Sequence, residues 1–314
     1  MTEMHLKSIS RSINAMGTQL ELLLLHHDKM HLQFVVNDIK DELIRIESRL
    51  SRFKAASEVS RINRFAGEKA LLLDPEMISI IKAALDFHKL TGGAFDITVA
   101  PFLEKWGFYQ KQYAVADENA LIDLRKRVGA HLIQLDEAAR TIRFTVPGME
   151  IDLGGMGKGY ALDRILEIVR ENDIASGFIS FGGSSIYGLN VPEGRPGWQF
   201  SYKVSSRPEL EPVPVVLRNQ AFSLSASYNR RFSRNGKFYG HIFDPNSGAP
   251  AEELLAAAVL HPAALTAEIL STAFMVMGWE KSQLFLSQHL EICAHLVLPY
   301  LDEYQLYEFN FERL

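Results

Sequence analysis

Cysteine is nearly absent. The single Cys293 in 314 residues excludes an internal disulfide, a cysteine zinc cluster and an iron–sulfur site held within one chain. A reducing compartment is the simplest setting for such usage. An excess of basic charge is also lacking: 33 Lys and Arg stand against 38 Asp and Glu, a net charge of −5, so no general attraction to nucleic acid or anionic lipid is expected. No stretch reaches the roughly 18 apolar residues of a membrane-spanning helix. The longest near-apolar runs, Leu22–Leu25 and Leu254–Leu260, end at His26 and at His261-Pro262. The first residues, Met1 to Lys7, show neither an apolar core nor a lipid-acceptor cysteine, so the expectation is a soluble, cytoplasmic protein with no secretory or lipoprotein signal. Fixed-period repeats, low-complexity tracts and long Pro/Gly/Ser linkers are missing too, which predicts one unit over 1–314.

What is present is ordinary globular material, 47% hydrophobic and 23% charged, enough for a sizeable core. Alternation over 18–25, after Met16-Gly17-Thr18, predicts a strand. Leu32, Val36, Ile39, Leu43, Ile46 and Leu50 repeat at helical spacing. Asp74-Pro75-Glu76 reads as a helix start, and Thr91-Gly92-Gly93 as its stop. Residues 140–153 read as two strands around Pro147-Gly148. A helix from Gly159 to Glu171 and a strand over 177–181 follow. Further strands are expected over 199–205, 214–224 and 254–260, and a late helix from Leu265 to Met277. The mixture predicts a mixed α/β (α+β) fold of undetermined strand order.

Four segments carry chemical signals. Ile151-Asp-Leu-Gly-Gly-Met-Gly-Lys-Gly-Tyr-Ala-Leu-Asp163 runs from a strand through a glycine-dense turn into a helix. Free amides and the positive helix end there suit a phosphate, with Lys158 as an added charge; a plain tight turn is the alternative. The segment is no Walker A loop, because Gly159 stands where Ser or Thr is needed. Phe181-Gly182-Gly183-Ser184-Ser185 offers close backbone approach or a simple strand-end turn. His241-Ile-Phe-Asp244-Pro-Asn-Ser-Gly248 places an imidazole and a carboxylate at a turn, where they can serve as base and orienting group or only as turn capping. Glu268 and Thr272 are four apart on one helix face, an oxygen pair suited to Mg²⁺ or to solvent. Asp96 and Thr98 sit in a strand-like turn before Trp106 and Phe108, which read as core in preference to cofactor stackers. The polar stretch from Ser51 to Asn63 suits the rim of a site or a solvated surface.

In order along the chain these segments resemble the ApbE-like flavin transferase family: Met-Gly-Thr, Leu-Ser-x-Phe, Phe-Asp-x-Thr-x-x-Pro with Trp-Gly-Phe, Ile-Asp-Leu-Gly-Gly-x-x-Lys-Gly-Tyr-x-x-Asp, Gly-Gly, Ser-x-x-Tyr, and His-Ile-x-Asp-Pro-x-x-Gly. The resemblance spans about Met16 to Gly278. It implies a single T-fold-like domain and a Mg²⁺-dependent FAD:protein FMN transferase. Such an enzyme cleaves the FAD pyrophosphate, attaches FMN through a phosphoester to a Thr or Ser of an acceptor flavoprotein, and releases AMP. It further implies His241 as general base or as the group that positions the acceptor hydroxyl, with Asp244 organising its turn or assisting the metal. Mg²⁺ would be held by Glu268, Thr272 and the Gly157 carbonyl, and FAD lined by Met16, Asp96, Thr98, Gly154, Gly155, Lys158, Asp163, Gly182, Gly183 and Tyr228. Two positions depart from the family pattern: Glu268 stands where aspartate is usual, and Ser227 where an amide or carboxylate is usual. The extra methylene of Glu268 displaces its carboxylate by roughly 1 Å, against Mg–O bonds of about 2.0–2.1 Å. An FAD pyrophosphatase, with water as acceptor, and a non-catalytic FAD-binding protein are the competing readings. No Asp-Gly-x-Thr-x-x-Thr acceptor segment occurs in the chain.

Overall fold

The computed structural model describes residues 6–191, 194–205, 209–301 and 303–311, so Met1 to His5, part of the segment read for a signal, lie outside the described residues. The chain opens with strands β1 (Lys7–Ala15) and β2 (Thr18–His26), then helices α1 (Lys29–Leu50) and α2 (Glu58–Phe65). Strand β3 (Leu71–Leu72), helices α3 (Pro75–Leu90), α4 (Ala100–Lys105) and α5 (Glu118–Arg125), and strands β4 (Ile133–Asp136) and β5 (Thr141–Phe144) follow. Helix α6 (Gly157–Glu171) leads into β6 (Ser176–Phe181), β7 (Ser185–Leu189), β8 (Trp198–Tyr202), β9 (Val213–Leu217) and β10 (Gln220–Ala226). Next come β11 (Arg231–Arg234), β12 (Lys237–Gly240), β13 (Ala256–His261), α7 (Ala264–Gln288), β14 (Cys293–Tyr300) and β15 (Glu303–Phe309).

Eight strands form one sheet in the order β1-β2-β6-β7-β10-β13-β14-β15, and every adjacent pair is antiparallel. Period-two alternation sorts the central strands between two apolar layers. Ala257 and Val259 of β13 face the helices α1, α3, α6 and α7, while Ala256, Ala258 and Leu260 face the ribbon β8–β9 on the other side. A third, smaller cluster gathers Phe102, Trp106, Phe108 and Phe243 beside the hairpin β11–β12, so Trp106 and Phe108 are core as expected.

The helix signals hold for local reasons. Asp28 caps α1 by accepting from Met30 N, and the helix buries Leu32, Val36, Ile39, Leu43, Ile46 and Leu50. Asp74 caps α3 by accepting from Met77 N, with Pro75 in the first turn. Arg45 and Arg49 of α1 bond Glu76 of α3 and hold its carboxyl down at about 2. Helix α7 is longer than expected but is broken at Gly278, whose backbone is non-helical; Glu253 accepts from Trp279 N and so starts the second half.

The expectation of two strands over 140–153 needs correction. Only Thr141–Phe144 is a strand, and it pairs with Ile133–Asp136 and Leu71–Leu72. The stretch after Pro147-Gly148 has no ladder because its backbone is otherwise engaged: the Asn63 amide bonds both Ile151 N and Ile151 O, and Asp152 N donates to Ile97 O. The run 214–224 is likewise two strands, folded back at Arg218-Asn219, with Asn219 at φ 55°. Helix α6 begins at Gly157, two residues before the expected start.

Candidate functional site

A cavity of about 920 Å³ opens where the β1–β2 turn, the loop between β6 and β7, strand β10, the starts of α6 and α7, and the segment after β12 converge. That is ample for a large cofactor. Met16, Asp96, Gly154, Gly155, Lys158, Gly182, Gly183, Tyr228, His241, Glu268 and Thr272 all line it. Thr98, Gly157, Asp163 and Asp244 do not.

Met16 sits at φ 51° in the β1–β2 turn, a conformation uncommon for a residue with a side chain. Its terminal methyl lies over the start of α6, 3.1 Å from where a Cβ on Gly157 would stand. Gly182, at φ 63°, turns the chain out of β6; a Cβ there would meet Thr18 Oγ1 at 2.7 Å. The glycine thus lets the β6–β7 loop close onto the start of β2 beside the cavity.

The starts of α6 and α7 are locked together. Gly159 packs directly on α7, where a Cβ would meet Ala264 O at 2.6 Å and Leu265 Cα at 2.8 Å. Four residues on, Asp163 accepts from Ala264 N at 2.7 Å and from Leu265 N at 2.9 Å. It supplies the cap that Ala263, the residue preceding α7, cannot. Asp163 is therefore the N-terminal cap of α7 and is not among the residues that line the cavity. Burial raises its carboxyl above the usual range despite the two amide bonds.

One turn into α7, buried Glu268 turns back to α6, accepting from the Lys158 ammonium and from Gly159 N. The start of α6 has no side-chain cap of its own, and Glu268 fills that role. Thr272 Oγ1 lies 3.1 Å from Ser225 Oγ of β10, which is also 3.0 Å from Ser271 Oγ. A carboxylate and a hydroxyl one turn apart on the cavity wall form an all-oxygen donor set of the type a hard divalent cation takes. Here Lys158 neutralises that carboxylate. Among the described residues no group of three or more His, Cys, Asp or Glu side chains is placed to hold a metal. Gly157 is the first residue of α6 and is not among the residues that line the cavity.

His241 follows β12 directly. Its Nδ1 lies 3.1 Å from the carbonyl of Arg230, the residue before β11. A carbonyl can only accept, so Nδ1 carries the proton and Nε2 keeps its lone pair. Burial, with the nearby Arg230 and Lys158 charges, lowers the His241 pKa to about 4, so the imidazole is neutral at physiological pH. Asp244 lies outside the cavity: its Oδ1 accepts from Asn246 N at 2.9 Å, and its own N–H and C=O bond Ala249 O and Gly248 N. It shapes the turn.

Asp96 lines the cavity, yet its oxygens are committed inward. Oδ1 accepts from Thr98 N and Thr98 Oγ1 at 2.7 and 2.6 Å, and Oδ2 from Ala130 N at 3.0 Å. Asp96 also pairs with His88 at 3.2 Å and raises its pKa. Thr98 is wholly buried and accepts from Gly129 N, so the Asp96–Thr98 pair organises the loop beneath the wall.

Sequence reasoning passed over several wall residues. Arg230 lines the cavity, anchored by donation to Phe108 O at 2.6 Å. Asp152 accepts from Tyr109 Oη at 2.6 Å and from Gly154 N at 2.8 Å, while Arg52 donates to Tyr109 Oη and stacks 3.9 Å over its ring. Phe178, Phe200 and Tyr202 give one end an aromatic wall. Their only local signal was β-type alternation, which does not tell a core face from a cavity.

Residues 16–296 match the model of the ApbE family. A FAD:protein FMN transferase of Salmonella typhimurium is 30% identical over 274 residues, covering 85% of this chain and 78% of that protein. One from Klebsiella pneumoniae is 28% identical over the same length and shares. The crystal structure of the ApbE protein from Thermotoga maritima superposes with a TM-score of 0.88 at 27% identity, covering 98% of both chains. The flavin transferase ApbE from Vibrio cholerae shows the same fold, TM-score 0.87 at 22% identity over 99% of this chain and 100% of that one. With the matched region running from the turn that carries Met16 to beyond α7, the chain belongs to the ApbE family.

Proposed function

We propose that the chain, acting as one unit, is an FAD:protein FMN transferase. It would cleave the FAD pyrophosphate and pass FMN to a Thr or Ser hydroxyl of an acceptor flavoprotein, with AMP as the leaving group. The observation that carries this reading is His241, held by the Arg230 carbonyl with Nε2 unprotonated, in the same cavity as Lys158 and the start of α6. Nε2 is suited to accept the proton of an attacking hydroxyl as the phosphoester forms. The Gly154-Gly155 turn and the α6 N-terminus offer partial positive charge to the phosphates. Lys158 can leave Glu268 for a phosphate oxygen and supply a full charge there.

Glu268 and Thr272, with the Gly157 carbonyl, are the residues we assign to Mg²⁺; when bound, the cation would neutralise charge developing on the pyrophosphate. Met16, Gly182, Gly183 and Tyr228 would flank the flavin nucleotide, and Asp96 would shape the wall without using its carboxylate on the ligand.

The test is intact-mass spectrometry of a folded FMN-acceptor domain after incubation with the chain and FAD, with Mg²⁺ or with chelator, alongside assay of free AMP. A metal-dependent gain of one FMN is expected. AMP without that gain would make the protein a pyrophosphatase. FAD binding with neither product would make it a binding protein and remove His241 from a catalytic role.

A further inference from the structure

Strand β10 alternates between two surroundings. Phe222, Leu224 and Ala226 face the ribbon β8–β9, while Ala221, Ser223 and Ser225 face the helix side. Serines on the inner face of a central strand carry hydroxyls that need partners there. Helix α7 supplies them with Ser271 and Thr272, so four hydroxyls meet between strand and helix. Ser223, Ser225 and Thr272 line the cavity, while Ser271 is wholly buried and does not.

The direction of each bond follows from one anchor. Ser271 Oγ lies 2.9 Å from the carbonyl of Glu268, and a carbonyl only accepts, so the single Ser271 proton goes there. Ser271 Oγ therefore accepts in its other two contacts, from Ser225 Oγ at 3.0 Å and from Ser223 Oγ at 3.3 Å. That commits the Ser225 proton. In the 3.1 Å contact between Ser225 Oγ and Thr272 Oγ1, Thr272 must then be the donor. The protons run one way, from Thr272 to Ser225 to Ser271 to the Glu268 carbonyl. Thr272 has no proton left for the cavity, and its oxygen offers only lone pairs there. A phosphate oxygen, itself an acceptor, gains nothing from such a group; a cation does.

We infer that Ser225 is a positioning residue for the divalent cation: it takes the Thr272 proton and so holds the Thr272 oxygen as a ligand. The inference rests on the assignment of the cation to Glu268 and Thr272 above. Through Ser271 the same chain of bonds reaches the backbone of Glu268, so β10 steadies both side-chain donors of that site. Removing a hydrogen-bond partner of a metal ligand typically lowers metal affinity about 10–100-fold.

Mn²⁺ is the probe, its free fraction read by electron paramagnetic resonance in titrations of the full chain, alone and with FAD. Ser225→Ala should weaken Mn²⁺ binding about 10-fold or more. Thr272→Val, which removes the ligand, should weaken it at least as much. The double variant S225A/T272V should bind like T272V, because Ser225 acts through Thr272. Ser225→Thr, which keeps a hydroxyl, should restore most of the affinity. Ser223→Ala, off the route to Thr272, should leave it unchanged. FAD affinity without metal, read by flavin fluorescence, should be the same in every chain. Wild-type Mn²⁺ affinity in S225A overturns the inference, and so do losses that multiply in the double variant. A loss of metal-free FAD affinity in S225A would assign Ser225 to the nucleotide and overturn it too. A wild-type chain that adds no Mn²⁺ binding to that of FAD itself defeats the cation assignment and the inference together. Mn²⁺ binding that falls in S225A and in T272V, but not further in the double variant, in a chain that transfers no FMN would leave the inference standing and defeat the transferase reading.

Discussion

Asp163 separates a residue that holds the site together from one that touches the ligand. Replacing it by alanine removes both acceptors from Ala264 N and Leu265 N and leaves the start of α7 uncapped. Two hydrogen bonds to a charged acceptor would contribute roughly 3–6 kcal/mol between them. Burial of the carboxylate offsets part of this, as its raised pKa shows. The expected net loss is therefore about 2 kcal/mol, near the upper end for helix caps. For a chain of this length that corresponds to a fall in Tm of about 3 °C. The pH dependence has a defined sign. A carboxyl whose pKa is raised in the fold binds its proton there more readily than in the unfolded chain, so its contribution grows on acidification from the folded pKa toward 3.8. The gap between wild type and D163A should widen in that window. Urea unfolding across pH gives the stability term, and equilibrium titration with FAD at a temperature where both proteins are folded gives the affinity. An FAD affinity reduced tenfold or more with unchanged stability would refute the capping assignment.

Other expected outcomes follow from neighbouring contacts. His241→Ala should abolish FMN transfer, read by intact mass, while FAD affinity measured by flavin fluorescence is retained. Because the neutral imidazole is the working form and its pKa is about 4, transfer by the wild type should be level above about pH 5. It should fall tenfold per unit well below 4, and a midpoint near the ordinary histidine value would contradict the buried, carbonyl-held geometry. Gly159→Ala puts a methyl against the backbone of Ala264 and Leu265, which cannot give way as a side-chain end would. It should cost about 1–3 kcal/mol in urea unfolding and reduce transfer by moving Glu268 away from Lys158. Glu268→Ala strands a partly buried ammonium and an uncapped helix start, and should cost about 3 kcal/mol in the same assay.

Most of what the sequence disclosed was short-range. The six apolar positions of α1 and the Asp-Pro start of α3 determine their own helices, so spacing alone located them. Cavity residues on turns, such as Gly154, Gly182 and His241, were visible because unusual residue types cluster there. The capping role of Asp163 was not legible because its partners lie 101 and 102 residues further on and no local pattern announces them. Asp96 shows the same limit: whether a carboxylate faces ligand or backbone depends on Ala130 N arriving from another segment. Arg230 was legible in principle. Asn235-Gly236 sets a two-residue turn, and counting back along both strands brings 230 opposite 241. The strands β14 and β15, by contrast, owe their place to pairing with β13 and with each other.

The strand order β1-β2-β6 also bears on how the protein is made. Strand β2 pairs with its hairpin partner at once, but its other edge waits for Phe181 to meet Leu20 and Ser176 to meet Leu25. At about 5–20 residues per second, the ribosome needs roughly 10–30 s to deliver that partner. During that interval an edge containing Leu20, Leu22 and Leu24 stands open to any strand nearby. The cavity wall is completed later still, since Glu268 and Thr272 belong to α7, near the end of the chain. A nascent or truncated chain ending before Ala264 would therefore present the glycine turn and Lys158 without the helix that holds them in place, so such fragments should be inert and in need of chaperone cover.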